Sequence, residues 1–97
     1  MIRSFGDKGS EDIFHGRRTK AASKLLPARL VSVARRKLDQ LDSAERLDDL
    51  RVPPGNRLEA LVGDRRGAFS IRINEQYRVC FRWTEDGPRE IEIVDYH

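Results

Sequence analysis

Two arginines in the last third of the chain have the type and spacing to bind an anion. Arg72 and Arg78 lie in two runs where apolar and polar residues alternate, a pattern typical of half-buried strands. If the runs pair across a three-residue loop, residues 74–76, both apolar sets face the core and the two arginines stand opposite each other. Like charges in that position destabilise a sheet, and arginine does not lose its proton. The pattern therefore predicts an anion site, or alternatively two solvated arginines that each turn to a carboxylate such as Glu90 or Glu92.

Other polar residues fall near this pair in the predicted sheet. They are Arg57 on the preceding segment, Asp95 at the end of the last strand, and Tyr96 and His97 after it. His97 exchanges protons easily near neutral pH, so it is the candidate general acid or base. Cys80 shares the parity of the arginines and is either a reactive thiolate with a lowered pKa or a half-buried spectator thiol. No paired-cysteine zinc pattern or phosphate-binding glycine loop occurs, so we expect neither a metal nor a cofactor.

The composition indicates one small domain, residues 1–97, with an affinity for anions. Fifteen of the nineteen basic residues are arginine, and no lysine follows Lys37. The planar guanidinium fits phosphates and stacks on bases, although an Arg-rich genome produces the same bias. The lone cysteine favours a reducing compartment, and there is no apolar run long enough to span a membrane or act as a signal peptide. We therefore expect a cytoplasmic protein that does not enter a membrane.

The elements that must position these residues can be predicted from periodicity and capping signals. The apolar spacing predicts a helix from Pro27 to Leu41, and the helix-breaking Pro53-Pro54-Gly55 stretch precedes the strands. The expected fold class is α+β, with N-terminal helices packed on one face of a small antiparallel sheet in the order β-α-α-β-β-β-β. The remaining predictions are an edge strand at Met1–Phe5, a helix from a Ser10 cap to Phe14, a mobile loop at 17–24, a capping box at Asp42–Glu45 that starts a second short helix, a strand at Arg57–Leu61 and a last strand at Arg89–Asp95.

Several stretches together resemble one protein family. They are Arg57–Leu61, the Gly63-Asp64-Arg65 turn with Gly67, the block Ser70–Trp83, and the closing Glu92-Ile93-Val94-Asp95-Tyr96-His97. In these the chain is similar to the HigB toxins of the RelE-like superfamily, and the GraT-type members are the most similar. The resemblance covers about residues 28–97. It implies a RelE-like fold and a toxin of a type II toxin–antitoxin system.

The activity implied by the resemblance is ribosome-dependent cleavage of mRNA in the small-subunit decoding site, which inhibits translation and growth. No metal is needed, because the ribose 2′-hydroxyl attacks the adjacent phosphodiester. The implied partner is a HigA-like helix-turn-helix antitoxin, and operator DNA is bound only through that antitoxin. The alternative from the residues themselves is a non-catalytic module that binds the ribosome or the antitoxin.

The resemblance also implies roles for individual residues. Arg72 and Arg78 match the strand arginines that clamp phosphate, and Asp95, Tyr96 and His97 match the terminal motif, with Tyr96 placed to stack on a base. The expected RNA contacts outside this catalytic set are Asn56, Arg57, Arg65 and Arg82.

One departure from the family leaves the general base open. Many HigB toxins carry His and Lys before the Gly-Asp turn, where this chain has Glu59-Ala60-Leu61-Val62. Glu59 is either a replacement base or a surface carboxylate paired with a nearby arginine.

Overall fold

In the computed structural model, which describes residues 1–96, three α-helices precede a four-stranded antiparallel sheet. The strands follow each other in the sheet in chain order, so the predicted α+β meander is confirmed. None of the helices in this range is long and apolar enough to cross a membrane. The helices are α1 Lys8–Phe14, α2 Lys20–Leu25 and α3 Val31–Ser43, and the strands are β1 Glu59–Ala60, β2 Ala68–Arg72, β3 Tyr77–Thr84 and β4 Gly87–Asp95, with 3₁₀ turns at Ala28–Leu30, Leu47–Arg51, Pro54–Asn56 and Gly63–Arg65.

The β2–β3 hairpin has the predicted register. Ile71 pairs with Val79, and Arg72 stands directly opposite Arg78. The amide of Ile73 donates to the carbonyl of Tyr77 at 3.0 Å, which closes a loop of three residues. Inside that loop the side-chain oxygen of Asn74 accepts from the amides of Gln76 and Tyr77, at 2.9 and 2.8 Å. This turn fixes which side chains of the two strands share a face.

The core lies between the helices and one face of the sheet. Residues three and four positions apart on α3 present a continuous apolar side, which packs against the alternate residues of β2, β3 and β4. The fully buried members are Ala34, Leu38, Leu41, Ile71, Val79, Phe81 and Ile91. Helix α1 is joined to the same sheet by a buried hydroxyl, since Ser10 Oγ accepts from the amide of Ile93 at 2.9 Å. The polar side chains of the strands therefore lie mainly on the other face of the sheet.

A bulge interrupts the pairing of β3 with β4. Cys80 pairs with Glu92 and Arg82 with Arg89, so two residues of β4, Glu90 and Ile91, lie opposite Phe81 alone. Glu90 has a φ of 53°, in the left-handed region. The extra residue keeps Ile91 in the core while Glu90 points out.

The N-terminal segment forms one isolated bridge and no strand, which corrects the prediction for Met1–Phe5. Phe5 bridges Ile91 in parallel orientation, and the amide of Arg3 donates to the carbonyl of Pro88. The ladder cannot extend, because Pro88 has no N–H and the amide of Glu90 donates to the Ser4 hydroxyl instead.

Two helix predictions in the N-terminal half were wrong. Residues 17–24 were expected to be a mobile loop, but helix α2 begins at Lys20, where the Thr19 hydroxyl accepts from the amide of Ala22 at 3.1 Å. Ala22 is buried, which gives this basic segment an inward side. Helix α1 is capped by Asp7 rather than Ser10.

The expected capping box at Asp42–Glu45 was also wrong. Asp42 lies in the last turn of α3, and its carboxylate accepts from the amide of Ile2 at 2.9 Å. The next turn, Leu47–Arg51, is a 3₁₀ helix capped by the Asp49 carboxylate, which accepts from the amides of Glu45 and Arg46.

Candidate active site

Arg78 is the centre of a polar cluster on the outer face of the sheet. Its side chain is only 12% exposed. Nη1 donates to Ser70 Oγ at 2.8 Å and to the carbonyl of Arg57 at 3.3 Å, while Nη2 lies 3.4 Å from a Glu59 carboxylate oxygen. These contacts fix the guanidinium in one orientation before any ligand arrives. A cation held in this way can bind an anion without first losing side-chain freedom.

Tyr96 completes the cluster from the end of β4. The Arg78 guanidinium lies 5.2 Å from the centre of the Tyr96 ring, within range of a cation–π contact. The Tyr96 hydroxyl donates to the second oxygen of Glu59 over a long 3.5 Å. Tyr96 is 37% exposed, so part of the residue remains available to a ligand. Strand parity predicted Tyr96 on the face of the sheet that carries the arginines, and the structure has it there.

Glu59 forms an ion pair with an arginine, which agrees with its interpretation as a surface carboxylate paired with a nearby arginine. The partner is Arg78 itself, and the Glu59 side chain is 48% exposed. Its carboxylate is therefore next to the bound position of an anion and open to solvent. The cluster can hold a phosphate on Arg78, a base on Tyr96 and a proton acceptor at Glu59.

Arg57 is near the cluster through its backbone. Its φ of 47° is in the left-handed region, which for a non-glycine residue costs about 1 kcal/mol, and it turns the carbonyl to Arg78. The side chain is exposed and has no ion pair within residues 1–96. Arg57 thus supplies an acceptor to the site and a cation beside it.

The prediction that Asn56 contacts RNA was wrong. Asn56 is fully buried, and its side-chain nitrogen donates to Gln40 Oε1 at 2.9 Å and to the carbonyl of Leu50 at 3.1 Å. Its oxygen accepts from Lys37 Nζ at 2.5 Å. No part of this amide reaches the surface, so it holds the turn that precedes Arg57 instead of touching a ligand.

Arg72 has separate surroundings from Arg78, although their positions are paired. Its nearest carboxylate oxygen belongs to Glu75, at 3.9 Å, and the Glu75 side chain is 95% exposed. The Arg72 side chain borders a depression with Arg36 and Lys37 of helix α3. The carboxylate partners suggested by the sequence, Glu90 and Glu92, pair with other arginines.

Those arginines are Arg82 and Arg65, at the far end of the outer face. Arg82 Nε lies 3.2 Å from Glu90 and Arg65 Nη1 lies 3.5 Å from Glu92. Arg82 is four residues beyond Arg78 on β3, about 13 Å away at the rise of a strand. Their charges are already balanced locally, so they are separate from the Arg78 cluster.

The two remaining residues of the terminal motif have different outcomes. Asp95 pairs with Tyr77 in the sheet and accepts from Gln76 Nε2 at 3.0 Å, so it lies beside the hairpin loop. His97 lies outside the described residues.

Cys80 is a packing residue. It is 2% exposed and lies in a small apolar cluster with Leu61, Ala68 and Val94 on the outer face. Burial raises the pKa of its thiol, contrary to the lowering that neighbouring arginines suggested. The interpretation as a spectator thiol fits this environment.

Sequence reasoning missed Ser70 as a member of the site. Ser70 lies two residues before Arg72 on β2 and pairs with Cys80, so the strand parity placed it on the arginine face. It is fully buried beneath Arg78, where its hydroxyl accepts the shortest of the guanidinium bonds. The feature of the sequence that could have identified Ser70 was its register in the strand rather than its residue type.

The profile of the HigB-like toxins, described as RelE-like toxins of the type II toxin–antitoxin system HigB, matches residues 3–97. Toxin HigB-1 of Vibrio cholerae is 40% identical over 85 residues, which cover 88% of this chain and 86% of that protein. Endoribonuclease HigB of Proteus vulgaris is 29% identical over the whole of both chains, 97 residues.

Among solved structures, a YoeB/ParE toxin from Agrobacterium tumefaciens covers 98% of both chains with 22% identity and a TM-score of 0.49. The match of the family profile to nearly the whole chain identifies the family. The chain belongs to the HigB-like family of RelE-like toxins from type II toxin–antitoxin systems.

Proposed function

We propose that the chain is an endoribonuclease that cleaves mRNA on the ribosome and so inhibits translation. Two findings support this proposal. The family is one of toxins, and one full-length relative carries the name endoribonuclease. The observation that carries the proposal is the Arg78 guanidinium, fixed by Ser70 and the Arg57 carbonyl beside an aromatic ring.

In the proposed reaction the ribose 2′-hydroxyl attacks the adjacent phosphodiester, with no metal involved. Arg78 binds the phosphate and stabilises the negative charge that grows on its oxygens in the transition state. Tyr96 stacks on an unstacked base and so positions the linkage over the guanidinium. Arg57 adds a second cation from the neighbouring segment.

Proton transfer needs a base for the 2′-hydroxyl and an acid for the leaving oxygen. Glu59 is our candidate for the base, because its carboxylate is 3.4 Å from Arg78 and solvent-accessible. We assign the acid to the terminal motif that contains Asp95 and His97. Substrate phosphate and the Glu59 carboxylate compete for the same guanidinium, so binding of RNA frees Glu59 to accept a proton.

The proposed partners follow from the family. A HigA-like helix-turn-helix antitoxin neutralises the chain, and operator DNA is contacted through that antitoxin. The proposed site of action is the small-subunit decoding site, in the cytoplasm. Positioning of the message by the ribosome lowers the demand on the toxin's own acid and base.

The test is cleavage of a defined mRNA on purified ribosomes, followed by mapping of the new ends. We expect cuts with the wild type, at least a hundredfold slower cutting with Arg78→Gln, and none where a 2′-O-methyl group replaces the attacked hydroxyl. Arg89→Gln is the matched control, since Arg89 pairs with Asp86 at the far turn. Arrested translation with intact mRNA would instead identify a non-catalytic ribosome-binding module.

A further inference from the structure

A second basic site lies beside the Arg78 cluster. A depression of about 480 Å³ opens between helix α3, the turn before Arg57 and the end of β2. Arg36 and Lys37 line it from α3 and Arg72 from β2. The other lining residues are neutral, with Gln40 and Asn74 as further donors. Within residues 1–96, no carboxylate lines this depression.

The lack of a carboxylate among its described lining residues distinguishes this depression from another one at the far end of the outer face. There a similar depression contains Arg65 and Arg82, but Asp64, Glu90 and Glu92 line it as well. Those arginines are neutralised by the protein. Cations without such partners create a local positive potential that attracts anions.

The three cations of the first depression lack this compensation. Arg36 has no ion pair in the described part of the chain, and Arg72 has only the exposed Glu75 at 3.9 Å. Lys37 donates to the neutral amide of Asn56. Burial lowers the pKa of Lys37, and the neighbouring charge of Arg36 lowers it further.

We propose that this depression binds a second phosphodiester of the RNA strand, adjacent to the one held by Arg78. The inference rests on the proposed function for the identity of the strand. It also explains the paired arginines: Arg78 holds one phosphate and Arg72 the next, so the two guanidinium groups do not share an anion. The strand then leaves the sheet toward helix α3.

The experiment measures binding of a 2′-O-methyl RNA dodecamer by fluorescence anisotropy at several salt concentrations. This probe cannot be cut through the 2′-hydroxyl, so the result does not depend on catalysis. The test variant is Arg36→Gln, and the control is Arg35→Gln, its exposed neighbour on α3 that does not line this depression. Both remove one charge from the same helix and have the same long-range effect.

We expect Arg36→Gln to lower the slope of log K against log salt by about 0.7, the value for one lost phosphate contact on a single strand. Arg72→Gln should have the same effect, and Arg35→Gln should leave the slope unchanged. Equal slopes for Arg35→Gln and Arg36→Gln, or no RNA binding by the wild type, would overturn the proposal. Displacement of the RNA by millimolar inorganic phosphate would overturn it too, because the site would then be one for small anions. Loss of antitoxin binding by Arg36→Gln with RNA binding intact would assign the surface to a protein partner.

Discussion

Asn56 offers the sharpest test of the structure, because the sequence and the structure assign it different roles. The residue is fully buried, and its amide joins helix α3 to the turn that carries Arg57. Substitution with alanine removes two well-formed neutral hydrogen bonds and one from the Lys37 ammonium. If Asn56 contacted RNA, the same substitution would weaken RNA binding and leave stability almost unchanged.

The magnitude follows from these contacts. Neutral bonds contribute about 0.5–1.5 kcal/mol each and a bond to a charged group about 1.5–3 kcal/mol, so the sum is about 2.5–6 kcal/mol. Lys37 and Gln40 are partly exposed and can turn to water, whereas the Leu50 carbonyl loses its side-chain partner in the interior. We therefore expect Asn56→Ala to lower the free energy of unfolding by about 3 kcal/mol, a large share of a total of about 5–15 kcal/mol.

Urea denaturation monitored by circular dichroism measures this loss. With a slope of about 2 kcal/mol per molar, the midpoint should fall by about 1.5 M. Asn74→Ala is the matched control: its side chain caps the half-exposed hairpin loop, and its loss should cost about 1 kcal/mol. A midpoint shift no larger than that of Asn74→Ala would refute the structural role.

Three further predictions concern titration and reactivity. Hydrogen bonds lower the pKa of Asp12 from 3.8 to about 2, first from the Lys8 ammonium and then from the Thr19 hydroxyl and the Arg17 guanidinium. The stabilisation that the ionised Asp12 carboxylate gives the fold is therefore complete above pH 4 and is lost as the pH falls toward 2. Acid-unfolding curves of Asp12→Asn should be flatter in that window. Glu59→Gln should bind 2′-O-methyl RNA more tightly than the wild type and cleave normal mRNA more slowly, because the competing carboxylate and the base are the same group; weaker binding in the anisotropy assay would contradict this. Native Cys80 should resist iodoacetamide, since its thiol is buried and its pKa raised, and mass spectrometry should find rapid labelling only after unfolding.

Strand periodicity predicted the part of the fold that carries the site. Alternation over residues 69–83 placed Arg72 opposite Arg78, and the structure has that register. The period of a strand is two, so parity alone decides the face of each side chain. The same rule placed Tyr96 on the face of the sheet that carries the arginines.

The features that the sequence did not reveal depend on tertiary contacts. Helix α2 has weak periodicity, and its capping residue, Thr19, is held by the buried Asp12 carboxylate at 2.7 Å. The burial of Asn56 requires Lys37 and Gln40 from a helix distant in sequence. Polar residues near arginines look alike in a sequence, and only packing separates a surface donor from an interior one.

The composition of the Arg78 environment has a consequence for how activity depends on folding. Each of the four strands, or the residue next to it, supplies one group: Glu59, Ser70, Arg78 and Tyr96. A chain in which β4 has detached keeps the cation but loses the ring, and a chain without β1 loses the carboxylate. We therefore expect the proposed cleavage only from molecules in which the whole sheet has formed, and none from partly folded or clipped ones.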